Sequence, residues 1–390
     1  MGGAVGTETH RASSPETDKA MPRPTWAEID LAALRYNLAA VRGRIARDVR
    51  VMAVVKADAY GHGAVSVARA LAEAGVDMFG VALVEEGVAL REAGLAAPIL
   101  VMGLAAEADL ADALAADLTL TVDGPATAEP IDLAAAARGA RAEVHLKIDT
   151  GMNRLGVRAE VAADAADAVA ALPHLDLAGA YTHLACADES DDAVTPGQLA
   201  AFGEALEAAR SAGVTPPLVH VANSAAVFAR PEAHFGMVRS GLALYGVAPS
   251  EAAKAGGLRP VMALKTRVAT VKRVREGEGV SYGHRWKAAR DSRIGVLPVG
   301  YADGYPRALS GRAQVRAAGR LAPVVGAVCM DLVMVDLTDV PGAAPGLEVT
   351  LLEADPESPL SAAALAEAAG TIPYEILAGI GPRVPRVYRE

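Results

Sequence analysis

VMAVVKADAYGHG, residues 51–63, sets a five-residue apolar run directly before a lysine and a loop punctuated by Gly61, His62 and Gly63. A short apolar run bounded by turn residues reads as a strand buried on both faces. The pattern recurs at MFGVAL (78–83), PILVMG (98–103), LTLTV (118–122) and AEVHLKID (142–149). It continues at LAGAYTHL (177–184), LVHVAN (218–223) and MVRSGLALYG (237–246). Between the runs lie segments such as AVSVARALAEAG, with helical spacing and a closing glycine. Eight strand–helix alternations over roughly 200 residues meet the needs of a (β/α)8 TIM barrel. A doubly wound sheet shares the alternation and stays open on pattern alone.

Past residue 250 the texture changes to strand-like runs with glycine-containing turns, as in MALKTRVATVKRVREGEGVSYG and SRIGVLPVGYADGYPR. One helix, SAAALAEAAG, is framed by Ser361 as cap and Gly370 as stop. The expected organisation is a flexible extension over 1–23, a barrel over 24–249 and a mostly β domain over 250–390. No apolar run reaches the ~20 residues of a membrane span, and the first residues lack the apolar stretch of a signal peptide. The net charge of −10, from 37 basic and 47 acidic residues, disfavours nucleic acid and anionic membranes as partners. Two cysteines, Cys186 and Cys329, exclude a disulfide framework and fit the cytoplasm; neither has metal-ligand spacing.

Chemistry on a barrel gathers where the strands end. Lys56 ends the first run; Lys147, Asp149 and Arg154 cluster at the fifth; His183 ends the sixth. Asn223 and Ser224 end the seventh, and Arg239 lies in the eighth. Each has an ordinary alternative: a solvated loop lysine, a core histidine, an arginine paired with a carboxylate. Together, at one mouth, they describe a pocket for an anion. Ser224 at a helix start and the glycine of RSG offer a weak phosphate-holding pattern. Neither GxGxxG after a strand nor GxxxxGK[ST] occurs, so nucleotide readings lack support.

AVVKADAYGHG resembles the cofactor-lysine motif of alanine racemases, barrel enzymes that use pyridoxal 5'-phosphate. HLKIDTGMNRLG, THLACADE, HVANSAA and MVRSGLALYG follow in family order, then VSYGHRW, VGYADGYPR, GAVCMD, TIPYEIL and GPRVPRVY. The resemblance runs from about residue 24 to the end. It implies an isomerase that interconverts L-alanine and D-alanine for peptidoglycan, working as a cytoplasmic homodimer with shared sites. It implies Lys56 as cofactor anchor and as one of two acid–base groups, the one serving the D-enantiomer. Tyr282, from the other subunit, is implied as the second. Tyr60, Ser224, Tyr374 and the backbone at Gly241 and Leu242 match the phosphate cradle, beside Asn223. Arg239 matches the residue facing the pyridine nitrogen, and Arg154 the one bonding the phenolic oxygen. His183 matches a link between Arg239 and that tyrosine. Lys147 matches a position often carbamylated. Met330 and Tyr301 match substrate-side residues, with Arg154.

Departures from the pattern are few. Asn153 stands where glycine often sits, Ser240 where proline is common, and Leu332 where glutamine is frequent. The last leaves a serine or broad-specificity racemase as the alternative. A decarboxylase of the same fold would place a carboxylate opposite the pyridine nitrogen, which Arg239 opposes. A non-catalytic pyridoxal-phosphate carrier would lack the second domain.

Overall fold

The computed structural model describes residues 23–189 and 192–390. Eight parallel strands close on themselves in the order Thr119–Val122, Ile99–Leu104, Met78–Val81, Arg50–Val54, Met237–Ser240, Leu218–His220, Leu175–Tyr181 and Ala142–Asp149. The last pairs back with the first through Leu120 and Val144, so the barrel is shut. The eight apolar runs of the sequence supply these strands, and the doubly wound alternative falls away. Inside, Met52, Met78, Leu100, Tyr181 and Met237 pack together. Side chains of that size fill an eight-stranded interior, leaving a core rather than a pore. Truncating a buried leucine such as Leu100 to alanine costs about 2–5 kcal/mol.

The second region is mostly β. A six-stranded sheet and a three-stranded sheet, Thr270–Val274, Ser292–Leu297 and Val333–Asp336, make up most of it. The helix Ala362–Ala369 has Ser361 capping Ala364 N–H and Gly370 in the left-handed region at its end. A second short helix, Pro373–Ala378, follows and was not foreseen.

Trp26–Asp30 falls inside the span expected to be barrel, yet it pairs with Met262–Arg267 and Arg386–Arg389 in the six-stranded sheet. Among the described residues the chain therefore runs from the second region across to the barrel and back again. One apolar cluster runs continuously from Leu34, Phe79 and Phe202 to Val315, Leu351 and Leu377. The expected extension over 1–23 lies outside the described residues except for Arg23, which donates to both carboxylate oxygens of buried Asp303 at 2.6 and 3.0 Å.

Candidate active site

Lys56 opens a turn of unusual hand. Ala57, Asp58, Ala59 and Tyr60 have φ of 52°, 52°, 53° and 54°, with ψ between 41° and 53°. For non-glycine residues the left-handed helical region costs about 1–2 kcal/mol each, so consecutive occupancy needs support. Some of it is local. His62 Nδ1 lies 3.0 Å from the carbonyls of Ala59 and Tyr60, so this nitrogen carries the proton and donates. Asp58 accepts from Ala64 N–H at 2.7 Å through its side chain and from Gly63 N–H at 2.9 Å through its carbonyl. Gly61 has φ of +80°, and a Cβ there would lie 2.2 Å from the Leu377 carbonyl. Only glycine lets these backbones meet.

The turn faces a cavity of about 480 Å³ at the C-terminal end of the strands. Lys56, Tyr60, Lys147, Arg154, His183, Asn223, Ser224, Arg239, Gly241, Leu242 and Tyr374 all line it. None of its lining residues carries a carboxylate. Four basic side chains, two of them arginines, with no acidic one make a pocket suited to an anion. Burial first, then Arg154, lowers the Lys56 amine from its usual range, against a smaller opposing pull from Glu86. Lys147 is pushed down to about 7 by burial and by the arginines Arg239 and Arg154.

Arg239 is buried and touches no carboxylate among the described residues. Its guanidinium donates to His220 Nδ1 at 2.9 Å, to the carbonyls of Thr182 and Val221 at 2.8 and 2.9 Å, and to His183 Nδ1 at 3.2 Å. Burial, then Arg239, holds the His183 imidazole down to about 2, so it is neutral.

On the neighbouring strand end, Ser224 Oγ accepts the N–H groups of Gly241 and Ala243 at 2.8 and 3.3 Å. Its own hydrogen stays free to donate. Asn223 spends its side-chain oxygen on Ala226 N–H at 3.0 Å, starting the helix Ser224–Ala229. A Cβ on Gly241 would lie 2.6 Å from the Tyr60 hydroxyl, so glycine is what lets the phenol in. The rings of Tyr60 and Tyr374 sit 5.9 Å apart.

Three expected residues lie elsewhere in the single chain. Tyr282 and Met330 line a second cavity with Ser281, Cys329 and Leu332, and are 74% and 53% exposed. Ser281, Gly283 and His284 around Tyr282 all have positive φ, which turns the phenol outward. Tyr301, 42% exposed, lines neither cavity; its N–H donates to the Cys329 carbonyl at 3.0 Å.

Tyr181 and His220 belong to the site but were not singled out from the sequence. Lys147 Nζ stands 4.4 Å from the centre of the Tyr181 ring, and His220 stacks on that ring at 4.7 Å. Strand alternation carried the signal: Tyr181 ends a barrel strand, where inward positions reach the mouth.

The basic, carboxylate-free pocket, the lysine on its strained turn and the hydroxyl cradle beside it fit pyridoxal phosphate: an anionic phosphate, a phenolic oxygen and a ring nitrogen each find donors. Fold and pocket together define a barrel-type pyridoxal-phosphate enzyme. A family model for the alanine racemase N-terminal domain matches residues 29–249, and one for the C-terminal domain matches 261–388. The chain belongs to the alanine racemase family. It is 46% identical over 367 residues to the alanine racemase of Symbiobacterium thermophilum, covering 94% of this chain and 97% of that protein. To that of Halothermothrix orenii it is 43% identical, covering 95% and 98%. The solved alanine racemase of Clostridium difficile 630 superposes with a TM-score of 0.91 at 38% identity, over 95% of this chain and 97% of that one.

Proposed function

We propose that this protein interconverts L-alanine and D-alanine, with Lys56 and Tyr282 of the partner subunit moving the Cα proton on opposite faces. The gathering of Lys56, Tyr60, Arg154, Ser224, Arg239 and Tyr374 around one carboxylate-free cavity carries the reading. When bound, pyridoxal phosphate supplies the electron sink that acidifies the Cα proton. Lys56, in a setting that favours its neutral amine, anchors that group and serves one face. Inversion needs delivery from the other face, which one fixed base cannot do. The outward phenol of Tyr282 supports a homodimer in which each copy completes the other's pocket, with Met330 and Tyr301 on the substrate side.

Tyr60, Ser224, Tyr374 and the Gly241–Leu242 backbone hold the phosphate, with Asn223 fixing the helix start beside them. Arg154 bonds the phenolic oxygen and orients substrate. Arg239 faces the ring nitrogen as a donor that keeps its own proton. That leaves the sink moderate and limits side reactions. His183 links Arg239 to the partner's phenol. Lys147, neutral in good part near pH 7, suits carbamylation, which would set an anion between Arg154 and Arg239. Among the described residues no helix is long and apolar enough to cross a membrane. We place the enzyme in the cytoplasm on its composition and unpaired cysteines, supplying D-alanine to peptidoglycan. The domain division at 249/250, with Trp26–Asp30 returning to the second sheet, belongs to the same reading.

Incubation with L-alanine followed by chiral chromatography tests it. Both enantiomers should appear with the native protein, and only the starting L-alanine with Lys56→Ala. No D-alanine from the cofactor-loaded protein would reject the activity. L-serine in the same assay reads the breadth that Leu332 bears on.

A further inference from the structure

The turn carrying Lys56 is held from outside at both ends. The first N–H after the lysine, on Ala57, donates to Oε1 of Glu86 at 2.6 Å. The other oxygen of that carboxylate accepts from Ala82 and Leu83 at 2.8 and 3.2 Å. One charged side chain thus ties the start of the turn to the end of the neighbouring strand Met78–Val81. At the far end the Gly61 carbonyl accepts from Nε and Nη2 of Arg386 at 2.9 and 2.8 Å. The same guanidinium donates to the carbonyls of Gly381 and Val384 at 2.7 and 2.6 Å and to that of Ile380. Among the described residues Arg386 forms no ion pair. A half-buried guanidinium without a carboxylate partner, spent wholly on carbonyls, acts on backbone position.

Neither side chain lines the cavity. Both reach the site through the main chain, one at the N–H of the first left-handed residue, Ala57, and one at the Gly61 carbonyl just after the fourth. The bonds of Asp58 and His62 are internal to the segment and leave its ends free. Four non-glycine residues in that conformation relax when the ends are released.

We propose that Glu86 and Arg386 are positioning residues for Lys56 and Tyr60, clamping the two ends of the left-handed turn so that amine and phenol are aimed before the cofactor arrives. The proposal rests on the reading of Lys56 as the cofactor lysine. A preformed turn spares the cofactor the cost of ordering it, so the clamp is read in affinity.

The test uses the full-length protein, with its cofactor and after cofactor removal, as Glu86→Gln, Arg386→Met and Arg386→Lys. In the cofactor-free variants, hydrogen exchange over residues 57–64 should rise about tenfold or more, while the strand Ala142–Asp149 stays protected. Pyridoxal phosphate should bind roughly 10–100-fold more weakly, the usual effect of losing an outer support. The KM for alanine should stay within about twofold, because the substrate-side residues are untouched. Arg386→Lys keeps one donor for Gly61 and should fall between native protein and Arg386→Met. Unchanged exchange over 57–64, or faster exchange with native cofactor affinity, overturns the clamp. Lys56→Ala in the same titration separates the two failures. Native affinity there sinks the cofactor-lysine reading; lost affinity there, with native affinity in the clamp variants, sinks the clamp alone.

Discussion

Arg239 donates to Nδ1 of His220 across 2.9 Å, inside the barrel. Because arginine keeps its protons, that nitrogen must accept, and the proton of His220 sits on Nε2. It then donates to Nδ1 of His145, also 2.9 Å away. Burial first, then Arg239, drives both imidazoles neutral, with His145 held down to about 4. Burial lowers Arg239 itself to about 10, so it remains charged at pH 7. A cation backed by neutral histidines faces the pocket.

Arg239→Glu should therefore change the chemistry as well as the rate. A carboxylate would favour protonation of the ring nitrogen. Racemisation should slow by about 10²–10³-fold, as for loss of a preorganised electrostatic partner. Pyruvate should form from alanine, with new long-wavelength absorbance. An unchanged product profile would show that Arg239 does not face the ring nitrogen.

Lys147 should take up carbon dioxide. Its amine, held to about 7, attacks carbon dioxide as the neutral base, forming the N–C bond and releasing one proton. Protonation as pH falls below 7 removes the nucleophile, so the carbamate should be favoured at pH 8 and lost at pH 6. With ¹³C-bicarbonate, NMR should show a carbamate carbon in the native protein and none in Lys147→Ala. No such signal at pH 8 would leave the lysine unmodified.

Gly61 and Gly75 form a matched pair. Their φ angles are +80° and +81°, yet a Cβ at Gly75 meets nothing within 4 Å, whereas one at Gly61 meets the Leu377 carbonyl. Gly75→Ala should cost the backbone strain alone, about 1 kcal/mol. Gly61→Ala should lower Tm further and weaken cofactor binding, because it drives the lysine turn away from the helix Pro373–Ala378. Equal thermal shifts would mean that the contact yields freely.

Much of this was legible in the residues. Barrel strands are covered on both faces, so they read as unbroken apolar runs, and all eight emerged. Trp26–Asp30 did not, because WAEID pairs with strands hundreds of residues away and carries no local sign of them. Asn153, standing where glycine is usual, has φ of +54°, a conformation asparagine tolerates well. The left-handed turn was hidden, since Ala57 to Tyr60 include no glycine and read as an ordinary loop or helix. His220 and Tyr181 stood inside quoted motifs, but their role depends on stacking and tautomer, which spacing does not express. Glu86 and Arg386 act on backbone atoms far away in sequence, and no motif encodes that.

Assembly should show in dilution. The pocket of one chain holds Lys56 but not Tyr282, which lines a separate outward cavity. Specific activity should fall as the protein is diluted, in step with the dimer fraction measured by sedimentation or mass photometry. Full activity in a demonstrated monomer would reject the shared site.

Two bases on opposite faces is the central claim, and Tyr282→Phe isolates it. The phenol is exposed in the chain, so its loss leaves the packing of the fold unchanged. Racemisation should drop by about 10²–10⁴-fold in both directions, the usual contribution of a general acid–base group. Cofactor binding should survive. Lys56 should still lift the α-proton of D-alanine and return one from solvent to the same face. In deuterium oxide the variant should therefore exchange the Cα proton of D-alanine much faster than it makes L-alanine, while L-alanine exchanges slowly. Equal exchange of both enantiomers, or near-native racemisation, would contradict the account and point to a single mobile base.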